Sequence, residues 1–75
     1  MRTLWDLQER ESAQIRGVGK HLPSAYLHRL QELGFVEGNE VTCVKRTPFG
    51  APRVFGIQDG VFTLEKTTAQ LIEIL

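Results

Sequence analysis

Small or apolar residues alternate with polar ones in the stretch "SAQIRGV", where the odd positions from 13 to 17 are apolar or small. This period of two is typical of a β-strand that buries one face, here the face that carries Ile15. We therefore expect a first strand over Ser12–Val18, followed by a turn at Gly19.

The period changes to three in the stretch "SAYLHRLQEL", where leucines recur every third residue and polar residues cover the other positions. This pattern predicts an amphipathic helix over Ser24–Leu33. The hydroxyl of Ser24 is expected to act as its N-cap. Gly34 stands where a left-handed residue commonly ends a helix.

A second strand is predicted in "EVTCVKR", residues 40–46, with Val41 and Cys43 on its buried face. The turn before it is expected at Gly38 and Asn39. The next stretch, "TPFGAP" at residues 47–52, contains two prolines and a glycine and is therefore predicted to be a loop.

The dipeptide Asp-Gly at 59–60 predicts a two-residue type I′ hairpin turn. In that register Ile57 faces Phe62 and Phe55 faces Leu64, so that all four side chains share one face of the sheet. After the hairpin we expect a helical turn at residues 68–71 and a last strand at residues 72–75.

Together these elements predict a mainly β fold with one inserted α-helix: a small SH3-like β-barrel of about five strands in a single domain, residues 1–75. Closure of a bent antiparallel sheet would remove its exposed edges. The helix is expected to close one end of this barrel.

Composition narrows the function. Nine Lys and Arg residues balance nine Asp and Glu residues, which disfavours nucleic acid as a partner because phosphate binding requires excess positive charge. No apolar run approaches the roughly 20 residues of a membrane span, and we see no signal peptide. Cys43 is the only cysteine, so no internal disulfide forms. A cytoplasmic protein is expected.

Candidate chemistry is sparse. Cys43 is predicted to be a small buried hydrophobe, and the sequence contains none of the common nucleotide-binding or hydrolase motifs. We therefore expect neither enzymatic activity nor a cofactor. His21 and His28 lie seven positions apart and could take part in a metal site, but two imidazoles without a third fixed ligand favour two solvated side chains.

Basic residues surround the predicted loop at 47–52. No acidic residue occurs from position 41 to 58, whereas Lys45, Arg46 and Arg53 flank the loop, and the hairpin register places Lys66 opposite Arg53. With Phe49 exposed at the tip, this rim would be a docking surface for an acidic protein, a phosphate or lipid head groups. The alternative is a solvated loop with Phe49 folded back over the barrel.

The helix offers a second candidate surface. Tyr26 and Leu30 could face the core or line a shallow apolar groove between helix and barrel; the core suits Leu30, and Tyr26 suits an interface because its hydroxyl needs a partner. Arg29 joins Tyr26 as a candidate partner-binding residue. Self-association through edge strands stays open.

The stretch "RLQELGFVEGNEVTCVKRTPFGAP" resembles the FeoA family of small cytosolic components of bacterial ferrous-iron transport. That family has the pattern R-L-x-x-L-G-hydrophobic-x-x-G, then a strand, a basic residue and A-P-x-G-D-P. The matching residues are Arg29, Leu30, Leu33, Gly34, Phe35, Gly38, Arg46, Pro48, Gly50 and Pro52. The upstream L-x-x-L opening and the closing strand are also similar.

The sequence departs from the family pattern at five positions, four of which change the charge. Ala51 replaces an aspartate, Thr47 an alanine, Glu65 an arginine and Glu11 a glycine, while Arg53 stands where an apolar residue is common. These changes alter the charge layout of an interface and leave the fold unaffected.

The resemblance implies an SH3-like accessory protein that docks on FeoB, the membrane iron transporter with a cytosolic GTP-binding domain, and so lies peripheral to the inner membrane. It implies neither enzymatic activity nor a required metal. The alternatives are a ferrous-iron carrier or sensor, and a stand-alone regulatory domain related to the SH3-like domains of iron-dependent repressors.

Overall fold

The computed structural model describes residues 2–19 and 22–75, which form one antiparallel five-stranded sheet with two helices. The elements are a 3-10 turn (Leu4–Asp6), β1 (Ser12–Val18), α1 (Ser24–Leu33), β2 (Glu40–Lys45), β3 (Arg53–Ile57), β4 (Gly60–Leu64), α2 (Lys66–Ala69) and β5 (Ile72–Ile74). The strand order is β4-β3-β2-β1-β5. The SH3-like mainly β fold is confirmed, but the sheet is open, because no pairing joins β4 to β5 within the described ranges.

The core lies on the inner face of this bent sheet. Every second residue of β3 is buried, and Val41 and Cys43 of β2 are fully buried as predicted. Phe35, which follows α1, is also fully buried, and its ring meets Phe62 edge to face with 6.1 Å between centroids. The two rings connect the helix end to the hairpin.

The N-terminal segment, which precedes β1, is part of this core. No helix or strand was predicted there. The side chains of Leu4 and Leu7 are fully buried. The backbone N–H of Thr3 donates to the Asp6 carboxylate at 2.9 Å, which fixes the 3-10 turn. Thr3 also bridges Glu73, so the segment covers the outer edge of β5.

Glu11 closes the turn between this segment and β1. Its carboxylate accepts the backbone N–H of Gln8 at 2.8 Å and a guanidinium N–H of Arg2 at 2.7 Å. These bonds hold the pKa of Glu11 below its ordinary value, the Gln8 bond contributing most. Glu11 occupies a position where the FeoA pattern has glycine. Its side chain forms hydrogen bonds that a glycine could not form.

The Glu11→Gln variant is expected to be less stable than the parent protein at pH 7 and to match it in acid. Because the folded pKa is depressed, the carboxylate stabilises the fold above the unfolded pKa of about 4.3, and this contribution is lost as pH falls through the folded pKa. Urea unfolding across this pH range measures the difference. The control is Glu32→Gln on α1, where the described residues show no bond to Glu32; a pH-independent deficit at Glu11 would contradict the prediction.

The bounds of α1 agree with the prediction, but its N-cap does not. The carbonyl of Pro23 accepts the N–H of Leu27 at 3.0 Å, so Pro23 is the N-cap and Ser24 is the first helical residue. At the other end Gly34 is left-handed as predicted, with φ of 107°. The Phe35 N–H donates to the carbonyl of Leu30 at 3.0 Å, which gives the Schellman motif that turns the chain back towards the sheet.

In the hairpin, the predicted side chains lie on the inner face of the sheet, but β3 and β4 pair in a register that differs from the predicted one. Phe55 pairs with Phe62, and Ile57 pairs with Gly60, so the two turn residues are Gln58 and Asp59. Only Gln58 of these two has positive φ, 51°. A Cβ atom at Gly60 would lie 2.6 Å from the Phe62 ring, so the glycine makes room for that ring in β4.

The register also removes the expected pair of like charges, because Arg53 faces Leu64 and not Lys66. Lys66 begins α2, two residues before the predicted helical turn. The Ala69 N–H donates to the Glu65 carbonyl at 2.9 Å, and this turn buries Ala69 against the core.

Candidate functional site

A groove of about 500 Å³ separates α1 from β4. Leu30 is the one residue of α1 that is fully buried, and it packs in the core on the inner side of the sheet. Five apolar side chains and three with polar groups line the groove: Ala25, Tyr26, Arg29, Leu30, Leu33, Phe62, Thr63 and Leu64. Leu30 is in the core as predicted, and the groove alternative for Tyr26 is the one observed.

Tyr26 and Arg29 give the groove its polar rim. The hydroxyls of Tyr26 and Thr68 share a hydrogen bond of 2.8 Å that joins α1 to α2, and Tyr26 is still 45% exposed. Arg29 is exposed, and no carboxylate of the described residues lies within ion-pair distance of it. The groove is therefore an apolar surface with one uncompensated positive charge at its mouth.

The loop between β2 and β3 presents Phe49 to solvent. Its side chain is as exposed as in an extended chain, at 103%, so the exposed alternative is the one observed. Phe49 and Gly50 both have positive φ, 58° and 73°. The Thr47 hydroxyl lies 2.5 Å from the Ala51 carbonyl oxygen and 2.8 Å from that of Pro52. The loop therefore holds the aromatic ring outward.

The two basic residues before this loop differ in their surroundings. Lys45 is exposed, whereas Arg46 is half-buried and bonded to the N-terminal segment. The Arg46 guanidinium donates to the Gln8 amide oxygen at 2.8 Å, and its backbone N–H donates to the Glu9 carboxylate at 3.0 Å. Arg46, which was expected in the cationic rim, is thus already hydrogen-bonded within the molecule.

Arg53 is not part of an exposed rim, and that expectation is wrong. Only 7% of the residue is exposed. Its guanidinium carbon lies 3.6 Å from the centroid of the Trp5 ring, and its Nη1 donates to the Trp5 carbonyl at 2.6 Å. The Nε atom is buried with no partner among the described residues. Burial, and secondly the nearby guanidinium of Arg46, lower the pKa of Arg53.

The remaining candidate groups do not converge. Within residues 2–19 and 22–75, no group of three or more His, Cys, Asp or Glu side chains could hold a metal ion. His28 is exposed on α1, and His21 lies outside the described residues. Cys43 is fully buried, and burial raises the pKa of its thiol. No helix in the described part of the chain is long and apolar enough to cross a membrane.

Comparison with known proteins gives a family match over nearly the whole chain. Residues 2–75 match the FeoA domain family. The crystal structure of Stenotrophomonas maltophilia FeoA in complex with zinc is 33% identical, with a TM-score of 0.85 and coverage of 99% of this chain and 89% of the other. No curated protein sequence gives a significant match.

Two further structures share the fold. The solution structure of iron(II) transport protein A from Clostridium thermocellum is 32% identical, with a TM-score of 0.86; the match covers 97% of this chain and 44% of that one. A manganese-dependent transcriptional repressor is 18% identical, with a TM-score of 0.86 over 99% of this chain and 40% of its own. The repressor match establishes similarity of fold only.

Proposed function

This chain belongs to the FeoA family, and on that basis we propose that it is a cytoplasmic accessory protein of ferrous-iron uptake that docks on a FeoB-type membrane transporter. In this role it acts through its surface and without catalysis. The related S. maltophilia protein is described as an SH3 domain protein and a candidate activating factor for bacterial ferrous iron transport.

The groove between α1 and β4 carries this proposal. Soluble domains normally bury leucine and phenylalanine side chains, yet Leu33 and Phe62 are only partly covered where they line this groove. Apolar surface flanked by a tyrosine and an arginine has the composition that protein interfaces favour. Tyr26 and Arg29 are therefore assigned to the docking surface.

The loop between β2 and β3 is a second candidate contact. An exposed phenylalanine gains from burial in a partner, and the hydrogen bonds of the Thr47 hydroxyl within the loop reduce the entropy lost on binding. Lys45 lies at the base of the loop and is exposed. We assign Phe49 and Lys45 to contact with the transporter, Arg46 to support of the loop, and Arg53 to the interior.

The Ala25→Glu variant is expected to weaken binding to the transporter about tenfold or more, which corresponds to ~1.4 kcal/mol. Ala25 is exposed and lines the groove, so a glutamate there fills the groove and offsets the charge of Arg29. An acidic residue in the first turn suits the helix dipole, so the fold is retained. Affinity for the purified transporter, with and without guanine nucleotide, is the measurement.

The matched control is Gln31→Glu, which adds the same charge to an exposed position of α1 outside the groove. Its affinity should stay within about twofold of the parent protein, or ~0.4 kcal/mol. Equal binding by the Ala25→Glu protein would remove the groove from the docking surface. Absence of binding by the parent protein in every nucleotide state would refute the proposed function itself.

A further inference from the structure

The two end strands of the sheet differ in how their outer edges are covered. The edge of β5 is paired with the N-terminal segment, because Thr3 bridges Glu73 and the Ile74 N–H donates to the Arg2 carbonyl at 3.0 Å. At the opposite end, no backbone group of residues 2–19 or 22–75 pairs with the outer edge of β4. This uncovered edge runs beside the groove.

The hairpin register identifies which backbone groups of β4 are available. Ile57 and Gly60 close a two-residue loop, and such a closing pair exchanges both of its hydrogen bonds. Bonded and non-bonded pairs then alternate along the ladder, so Phe62 and Leu64 bond to β3. The N–H and C=O groups of Val61 and Thr63 therefore point towards the uncovered edge.

β4 lacks the features that usually protect such an edge. Natural edge strands carry charges, prolines or bulges that prevent pairing with another chain. The strand sequence "GVFTL" contains no charge and no proline, and its register with β3 is regular over all five residues. Val61 is 64% exposed. Apart from its shortness, nothing in the strand opposes the addition of another strand.

We propose, on the basis of the proposed function, that an extended segment of the partner protein adds to β4 as a further strand. Alternate side chains of an added strand point to the inner side of the sheet, where Phe62 and Leu64 line the groove. Apolar residues two positions apart would fill that groove. An aspartate or glutamate beside them would meet the uncompensated charge of Arg29.

The ligand class is therefore an extended acidic peptide with an apolar-x-apolar pattern. Backbone hydrogen bonds to Val61 and Thr63 would supply affinity, and the groove would select the side chains. This binding mode differs from simple burial of an apolar side chain because it requires particular backbone N–H groups on both chains. That requirement makes it testable.

The first experiment titrates the protein with a probe peptide, acetyl-Asp-Leu-Thr-Leu-Ser-amide, and follows backbone amide signals by NMR. We expect millimolar binding with the largest shifts at Val61 and Thr63. Two further peptides carry an N-methyl group on the central threonine or on the second leucine. Because adjacent amides of a strand point in opposite directions, only one of these peptides should lose binding. Equal binding by both, or no shifts with the parent peptide, would overturn the proposal.

The second experiment uses Thr63→Pro, which removes a backbone N–H that points towards the uncovered edge and is not bonded to β3. Edge strands tolerate proline at such positions. Affinity for the probe peptide and for the transporter should fall at least tenfold, whereas Thr63→Val, which keeps the N–H, should bind like the parent. Circular dichroism confirms that both variants fold; if Thr63→Pro does not, the N-methyl peptides decide.

Unchanged transporter binding by folded Thr63→Pro would overturn strand addition and leave the proposed function standing. Failure of the parent protein to bind the transporter would refute the proposed function. The peptide titration would still test strand addition at the edge of β4. Sedimentation of the parent protein tests whether a second copy of this chain occupies the edge of β4. A dimer that dissociates in the Thr63→Pro variant would show that it does, contrary to the proposal.

Discussion

Replacement of Phe35 by alanine is expected to lower the free energy of unfolding by about 3–5 kcal/mol. The side chain is fully buried and packs against Phe62 between the helix end and the hairpin. A domain of this size has a total stability of roughly 4–11 kcal/mol, at about 0.05–0.15 kcal/mol per residue. The variant should therefore be marginally stable or unfolded at room temperature, as urea or thermal denaturation followed by circular dichroism will show.

Phe49→Ala is the matched control, because it removes the same phenyl group from a fully exposed position. Its free energy of unfolding should remain within about 0.5 kcal/mol of the parent protein, as is usual for surface positions. A loss below about 1 kcal/mol for Phe35→Ala would mean that the space around the ring collapses on truncation. A comparable loss for both variants would contradict the exposed position of Phe49.

The Arg53→Glu variant is expected to lose about 3 kcal/mol or more of stability, because it places an unpaired carboxylate in a buried site. The carboxylate would face the carbonyl oxygen of Trp5, which now accepts a hydrogen bond from Arg53. Arg53→Met removes the charge and the unpartnered Nε while retaining most of the volume. Its stability should lie within about 1.5 kcal/mol of the parent protein.

Denaturation curves and the fluorescence of the single tryptophan test both substitutions. Removal of the guanidinium from the face of Trp5 should alter the emission of folded Arg53→Met, whereas Arg53→Glu should show the emission of a solvated indole. Full stability of Arg53→Glu would place residue 53 at the surface, against the structure. Any loss of transporter binding in Arg53→Glu would therefore report unfolding and not a charge contact.

The hairpin shows how much of the fold local sequence patterns can predict. Alternation predicted correctly that Phe55, Ile57 and Leu64 lie on the inner face, but the Asp-Gly signal placed the turn one residue too late. The glycine of that dipeptide leaves room for the ring of Phe62, which is a packing requirement that turn statistics do not contain. The same alternation places Arg53 on the inner face, and applying it there would have predicted the burial.

The N-terminal segment and the edge of β4 depend on non-local contacts. Leu4 and Leu7 are three positions apart, but one such interval is too short to establish a period, and their burial comes from docking on the sheet. The groove face of α1 follows from helical spacing and could be predicted for Tyr26. The uncovered edge could not, because strand order is set by pairings between distant segments.

The hydrogen bond between Arg2 and Ile74 has a consequence for how the fold can be used in larger proteins. It places the entry and exit points of the polypeptide side by side, so a longer chain could enter and leave the domain at one location without stretching it. Domains with adjoining termini tolerate insertion, fusion and circular permutation. The fold can thus serve as a transferable module, consistent with its occurrence as a minor portion of a repressor polypeptide.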